Sequence, residues 1–342
     1  MSEPQIQGVE GRRLLQLLEG FPGKKVLLFG DLIADVFIFG EISRISREAP
    51  ILILDHKQTR VVPGGCANSV NNLSALGGKP LPVGVLGADE HGRSLVGIFD
   101  EKGVPTDGIL SVEGHHTTSK TRVSAGSRHV KRQQVVRVDR EEPFIYDEDR
   151  RDRVRTVIDK RVGQVDAVMI SDYGQGAVDR ELAGHLIRTA RAAGLPVTLD
   201  SRWDLLAYPG VSAATPNEPE LESIFEEQAD GDVELVTRMG GDLRQKLAAE
   251  AVLVTRGGDG MVLVEEDGFR RLHSHGDGEV ADVTGAGDTV ISTFTLALAS
   301  GASYYEAALL SNLAGGLVVK KWGTATVGLD ELEGAVRFEA GL

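Results

Sequence analysis

The segment Asp282-Val-Thr-Gly-Ala-Gly-Asp288 carries the densest chemistry in the chain. Gly285, Ala286 and Gly287 present no bulky side chain, so their backbone N–H groups can converge on an anion. A helical pattern begins at the same place, with Val290, Phe294, Ala297 and Leu298 forming one apolar face. The start of such a helix adds N–H groups without intrahelical partners and a favourable dipole. Together these predict an anion hole for the phosphate charge that develops during phosphoryl transfer. Asp288 sits at its edge, where it can take the proton of an attacking hydroxyl. A carboxylate is basic enough for that step, because the alcohol loses its proton late. Taken alone, the same residues also fit an ordinary helix start in which Asp288 complements the dipole.

Other chemistries find less support. Neither Gly23-Lys24 nor Gly78-Lys79 has the upstream Gly or the following Ser/Thr of a Walker A loop. The protein-kinase motif set is absent. Gly30 is followed by Asp31 instead of a G-x-G-x-x-G turn, and a carboxylate there would repel a dinucleotide pyrophosphate. His115-His116 and His273-x-His275 lack an evident third metal ligand and read as turn histidines. The single cysteine, Cys66, rules out an intramolecular disulfide and a Cys-rich zinc site. A net charge of -14 disfavours non-specific binding to nucleic acid or anionic membrane. Met1–Gly20 lacks the apolar stretch of a secretory signal, and nowhere do 18 apolar residues run together. A cytoplasmic setting is therefore expected.

The elements that must position these residues follow from the apolar pattern. With 342 residues, of which 41% are hydrophobic, the chain can bury a substantial core. Lys25–Gly30, Leu81–Leu86, Ala167–Ile170, Pro196–Leu199 and Ala251–Thr255 are short apolar runs, each followed by a segment of helical length. That alternation predicts a three-layer α/β fold with a mainly parallel central sheet. Two regions break it, about residues 35–62 and 117–139, where β-branched residues alternate with polar ones and a Ser-Ala-Gly-Ser turn (Ser124–Ser127) interrupts the second. They predict antiparallel strands in a small β-sheet lid over a site at the edge of the main sheet. Ala307–Lys320 is expected to form a second helix after the Gly-rich segment. No linker divides the chain, so residues 1–342 are expected to form one domain.

Five segments, in order, resemble the PfkB or ribokinase-like family of carbohydrate kinases. Asp282–Asp288 resembles its C-terminal signature, with Asp288 as base and Gly285–Gly287 as anion hole. Gly30-Asp31-Leu-Ile-Ala-Asp35 is similar to its first-strand motif, which implies that Asp31 and Asp35 bind sugar hydroxyls. Pro63-Gly64-Gly65-Cys66-Ala67-Asn68 resembles its Gly-Gly motif, with Gly64, Gly65 and Asn68 lining the sugar pocket. Asn217-Glu218-Pro219-Glu220 matches N-x-x-E, implying that Asn217 and Glu220 organise Mg²⁺ and phosphate through water. Thr255-Arg256-Gly257-Gly258-Asp259-Gly260 resembles a nucleotide-contacting turn, implying roles for Thr255, Gly257 and Gly260. The resemblance also implies ATP as donor. Asn312 is expected to approach adenine, and Asp282 and Thr284 could offer oxygens to a monovalent cation; helix capping is the alternative for that pair.

Within the family, Ser43–Pro50, Ser171–Gly176 and Leu317–Val327 resemble the kinase half of bifunctional heptose 7-phosphate kinase/adenylyltransferases. This implies phosphorylation of the anomeric hydroxyl of a heptose 7-phosphate, and only the kinase half is expected within these 342 residues. Two positions depart from that branch: Gln175 stands where a Lys is usual, and Asp200-Ser201-Arg202 replaces Asp-Pro-Lys-Gly. Arg202, or the lid residues Arg122, Arg128, Lys131 and Arg132, could supply the cations a sugar phosphate needs. A solvated strand face is the plainer account of those lid cations. Two rivals stay open: a kinase of another sugar or nucleoside, and a sugar-binding homologue without catalysis. Lid strands with open edges also predict a homodimer through the lid.

Overall fold

The computed structural model describes residues 8–127, 130–275 and 280–342. In chain order the first half comprises α1 (Gly8–Glu19), β1 (Lys25–Gly30), β2 (Leu32–Ile45), β3 (Leu52–Gly65), α2 (Cys66–Ala75), β4 (Lys79–Gly87), α3 (Glu90–Glu101), β5 (Ile109–Val112), β6 (Ser119–Ser127) and β7 (Val130–Arg140). There follow α4 (Glu148–Val162), β8 (Ala167–Asp172), α5 (Arg180–Ala192), β9 (Val197–Ser201), β10 (Ala213–Ala214), α6 (Glu218–Phe225) and α7 (Val233–Leu247). The last part holds β11 (Ala251–Thr255), β12 (Met261–Glu265), β13 (Gly268–Leu272), α8 (Ala286–Ala299), α9 (Tyr304–Val318) and α10 (Leu329–Ala340).

Nine strands form the main sheet in the order β13-β12-β11-β10-β9-β8-β1-β4-β5. Every pair from β5 to β11 is parallel, and β12 and β13 close one edge antiparallel. Side chains of β1 alternate between faces, as a strand requires. Val26 and Leu28 join a core with Leu14, Leu73, Phe99 and Phe294, while Leu27 and Phe29 join a second with Ile158, Leu186, Met239 and Leu243. Helices α1–α3 and α8–α10 cover the first face, and α4–α7 cover the other. The unbroken apolar runs of the sequence are thus strands buried on both sides.

Three expectations about α8 and the small sheet are corrected. Instead of one apolar stripe, α8 is buried on all sides from Asp288 to Ala297. Its polar residues stay inside because their hydroxyls find partners: Thr293 donates to the Thr289 carbonyl at 2.8 Å, Thr295 to the Ile291 carbonyl at 2.7 Å, and Thr289 to Asn72 Oδ1 at 2.9 Å. The small sheet has the order β3-β2-β6-β7, and its central pair β2–β6 is parallel, not antiparallel. The chain reaches β6 only after β4, α3 and β5, a crossover long enough to re-enter in the same direction. Ser124–Ser127, expected to turn, extends β6, with Ser124 and Ala125 paired to Gln134 and Gln133. Ala125 is buried there, which favours strand over turn.

The small sheet is joined directly to the main one. β2 starts one residue beyond Asp31, and β3 ends at Gly65, where α2 begins. The Cys66 N–H donates to the Asp31 carbonyl at 3.0 Å, tying the two junctions together.

Candidate active site

A cavity of about 390 Å³ opens where the carboxyl ends of β9, β10 and β11 meet the small sheet and the start of α8. This is the crevice in which open α/β sheets bind ligands. From the main sheet come Asp200, Arg202, Thr215, Asn217, Glu220 and Thr255; the small sheet adds Ile33, Asp35, Gly65, Lys120, Arg122 and Arg137. Gly285, Gly287 and Asp288 form its floor beside Tyr173 and Thr324.

At α8, Gly285 is the N-cap with φ 78, a left-handed conformation that glycine adopts without strain. The Thr289 N–H donates to the Gly285 carbonyl at 3.2 Å as the first bond of the helix. Gly287 and Asp288 lie in the first turn, where N–H groups have no intrahelical acceptor. Ala286 does not line the cavity, and its N–H already donates to the Val283 carbonyl at 3.2 Å. Of the three residues expected to form an anion hole, Gly285 and Gly287 thus line the cavity and Ala286 does not. A side chain on Gly287 would project into open space, so the backbone here is open to the cavity.

The Asp288 carboxylate is buried and held on both oxygens. Oδ2 accepts from Asn68 Nδ2 at 2.8 Å, and Oδ1 from the Tyr173 hydroxyl at 2.8 Å, with Ser69 Oγ at 3.4 Å. Burial pushes its pKa up to about 6, against the pull of the Asn68 and Tyr173 hydrogen bonds and the Arg202 charge. That brings it close to the operating range of a general base. Asp200 is also pushed up, by burial and then by the neighbouring Glu220 and Asp288 carboxylates. Glu220 is raised by burial as well.

Asn217 and Glu220 form a reciprocal cap on α6. Asn217 Oδ1 accepts from the Glu220 N–H at 2.8 Å, and Glu220 Oε2 accepts from the Asn217 N–H at 3.0 Å. The cap uses one Glu220 oxygen and leaves the other for the cavity. A cavity lined by Asp200 and Glu220, facing the same space as a helix N-terminus, fits a hydrated Mg²⁺ bound chiefly by phosphates. Among the described residues there is no cluster of three or more His, Cys, Asp or Glu side chains placed to hold a metal directly.

The small sheet supplies three cations to the cavity, beside Arg202 from the main sheet. Lys120 and Arg122 are two apart on β6 and share a face; Arg122 lies directly opposite Arg137 in the β6–β7 register. Like charges facing across strands repel. Here Asp35 accepts from Arg122 at 2.5 Å, and Asp139 binds Arg137 through two bonds at 2.8 and 2.6 Å. Arg122 also lies over the Phe37 ring, 5.4 Å from its centroid. Arg128 lies outside the described residues, as do the side chains of Lys131 and Arg132.

Several predicted residues stand elsewhere. Asp31 does not line the large cavity; its carboxylate accepts the N–H groups of Tyr173, Gln175 and Ala177 at 2.7, 3.1 and 2.9 Å. Gln175 turns away with it, within reach of Thr118 Oγ1 at 3.4 Å and beside a second, water-sized space that Asp31 also lines. Asn68 sits beneath the cavity, behind Asp288. Gly64 does not line it either: a side chain there would come within 2.6 Å of Asp35 Oδ2, so its bareness gives Asp35 room. Gly257 and Gly260 shape the turn after β11 away from the cavity, whereas Thr255 reaches it. Asn312 donates to the His273 carbonyl at 2.6 Å instead of facing the cavity. Asp282 accepts from the Thr284 hydroxyl at 2.7 Å, the Thr284 N–H at 2.9 Å and the Gly323 N–H at 3.0 Å, which makes it a brace for the segment before α8. Sequence reasoning missed Tyr173, Lys120, Arg137, Asp200 and Thr215 as cavity residues. For Lys120, a legible signal existed in its two-residue spacing from Arg122.

Comparisons with known proteins agree with this geometry. The description "pfkB family carbohydrate kinase" matches residues 24–331. Relatives named Bifunctional protein HldE include that of Desulfatibacillum aliphaticivorans, 40% identical over 320 residues, covering 92% of this chain and 63% of the relative. That of Pseudomonas aeruginosa is 42% identical over 325 residues, covering 94% of this chain and 65% of the relative. The chain thus spans less than two thirds of the length of these relatives. Among solved structures, Escherichia coli phosphofructokinase-2 in complex with potassium has a TM-score of 0.72 at 19% identity, covering 93% of this chain and 99% of that one. Arabidopsis thaliana ribokinase complexed with ribose and ATP has a TM-score of 0.70 at 21% identity, with 93% and 99% covered. These two likenesses establish the ribokinase-like fold. With that fold, a Gly-rich helix start at the strand ends, and a match over nearly all of its length, the chain belongs to the pfkB family of carbohydrate kinases.

Proposed function

We propose that this chain transfers the γ-phosphoryl group of ATP to the hydroxyl of a sugar that already carries a phosphate, the anomeric hydroxyl of a heptose 7-phosphate. The observation that carries the reading is the gathering of basic side chains around the cavity that Asp288 lines. Lys120, Arg122 and Arg137, each beside a carboxylate (Glu141, Asp35 and Asp139), face it from the small sheet, and Arg202 and Asp288, with the amides of the α8 start, face it from the main sheet. The first group suits a dianionic phosphate on the acceptor. The second suits a hydroxyl losing its proton next to a phosphoryl group in flight.

In this reading the acceptor oxygen attacks the γ-phosphorus in line as its proton passes to Asp288. The bond from that phosphorus to the bridging oxygen breaks, and ADP leaves. The Gly287 and Asp288 amides hold the transferring oxygens. Asn217 and Glu220 would hold a hydrated Mg²⁺ here, and its charge would offset that of the phosphates. Closure of the small sheet as a lid excludes water and limits ATP hydrolysis. Ribose and ATP are bound by the Arabidopsis ribokinase of the same fold, and HldE relatives support the branch. The enzyme is read as cytoplasmic, where ATP is available; among the described residues no helix is long and apolar enough to cross a membrane. The lid is also read as a dimer surface, because Ile45, Ile51, Leu52, Val136 and Val138 are exposed on its strands or at the bend beside them.

The test is an acceptor screen with ATP over sugar phosphates, their neutral parents and nucleosides. Turnover of heptose 7-phosphate well above its neutral parent is expected. Arg137→Ala should raise KM for the phosphorylated acceptor by about 10- to 100-fold, the share of a charge-assisted contact. Activity confined to neutral sugars would sink the phosphate assignment.

A further inference from the structure

We propose that Tyr173 is a positioning residue for the base, clamping the Asp288 carboxylate from the side opposite Asn68 and holding it toward the acceptor. The inference rests on reading Asp288 as the base. Three features of the geometry carry it. First, the Tyr173 hydroxyl donates to Oδ1 at 2.8 Å while Asn68 Nδ2 donates to Oδ2 at the same distance, so the carboxylate cannot rotate without losing a bond. Second, the segment that presents Tyr173 is itself tied down. Asp31 accepts the N–H groups of residues 173, 175 and 177, and Asp172 accepts the Gly174 N–H at 2.8 Å. Asp172 is fixed in turn by Ser201 at 2.9 Å and the Tyr208 hydroxyl at 2.7 Å. Third, the Tyr173 ring carries the Arg202 guanidinium, 5.0 Å from its centroid, and both side chains line the cavity. Asp31 and Asp172 are thus buried carboxylates that build a rigid seat for one phenol.

The consequence is chemical as well as geometric. A donor to the charged form of a carboxylate lowers its pKa, and Tyr173 offsets part of the rise that burial imposes on Asp288. The other groups facing Asp288 are Cys66 from α2, Asp35 from β2, Asp200 at the end of β9 and Arg202 just beyond it. Tyr173 stays protonated throughout, because burial and the Asp288 charge push its own pKa far up. The acceptor proton goes to Asp288 alone.

The test compares pH profiles of kcat for the parent, Tyr173→Phe and a protein with 3-fluorotyrosine at position 173. Removing the hydroxyl should lower kcat about 10- to 100-fold. It should move the acidic limb up by about one pH unit, with KM for ATP little changed. The fluorinated phenol is a stronger donor and keeps every contact, so its limb should move down. A purely structural role would lower Tm and kcat while leaving the limb in place. An unmoved limb in both proteins overturns the proposal. Asp288→Asn run alongside separates the two readings: parent-like turnover there overturns the base assignment and this proposal with it. An inactive Asp288→Asn beside an unmoved limb overturns the role of Tyr173 alone.

Discussion

Asp288 stands at neutral pH as a charge in a place that opposes charge. Its folded-state pKa of about 6 lies above the 3.8 of an open carboxylate, so between those values the native state binds more protons than the unfolded one. Stability is then fully present below pH 4 and is lost as pH rises through 6, by up to about 3 kcal/mol from this group. The proposed role as base accounts for this cost, because a carboxylate that gives up solvation takes a proton more readily. Asp288→Asn should lower kcat by about three orders of magnitude or more while calorimetry still detects ATP binding. The same variant should melt several degrees higher than the parent at pH 8, with the gain vanishing near pH 4. An equal gain at both pH values would mean that charge relief is not its source.

At the level of elements, the start of α8 does two jobs with one residue. Gly285 turns the chain into the helix at φ 78, and its bareness lets Asn68 pass beneath it to reach Asp288. A Cβ at that position would lie 2.5 Å from Asn68 Nδ2, which cannot retreat without leaving the carboxylate. Gly285→Ala is therefore expected to cost about 1–3 kcal/mol of stability and to reduce kcat together with it. Thermal melts and steady-state rates check this; a variant matching the parent in both would show that the turn has more room than the geometry allows. The same logic explains why Asp31 left the cavity. It follows β1 directly, beside the loop after β8, and the three amides of that loop claim its oxygens before any sugar could.

For the molecule as a whole, the exposed apolar side chains of the small sheet set the expected assembly. Light scattering at micromolar concentration should report twice the chain mass, and Ile45→Lys with Val138→Lys should shift it to monomer. A parent already monomeric at that concentration would remove the lid interface. The layered fold and the Gly-rich helix start were legible in the sequence because both are local patterns. Runs such as Lys25–Gly30 must be buried on two faces, and Gly285-Ala-Gly287 presents no bulky side chain wherever it is placed. The neighbourhood of that helix start was decided only by the tertiary structure. Which of Asp31 and Asp35 lines the cavity depends on the loop packed beside each; that Arg137 stands opposite Arg122 depends on strand register; and Tyr173 meets Asp288 across 115 residues. Sequence spacing says nothing about such encounters, because they form only when the ends of separate strands are brought to one edge.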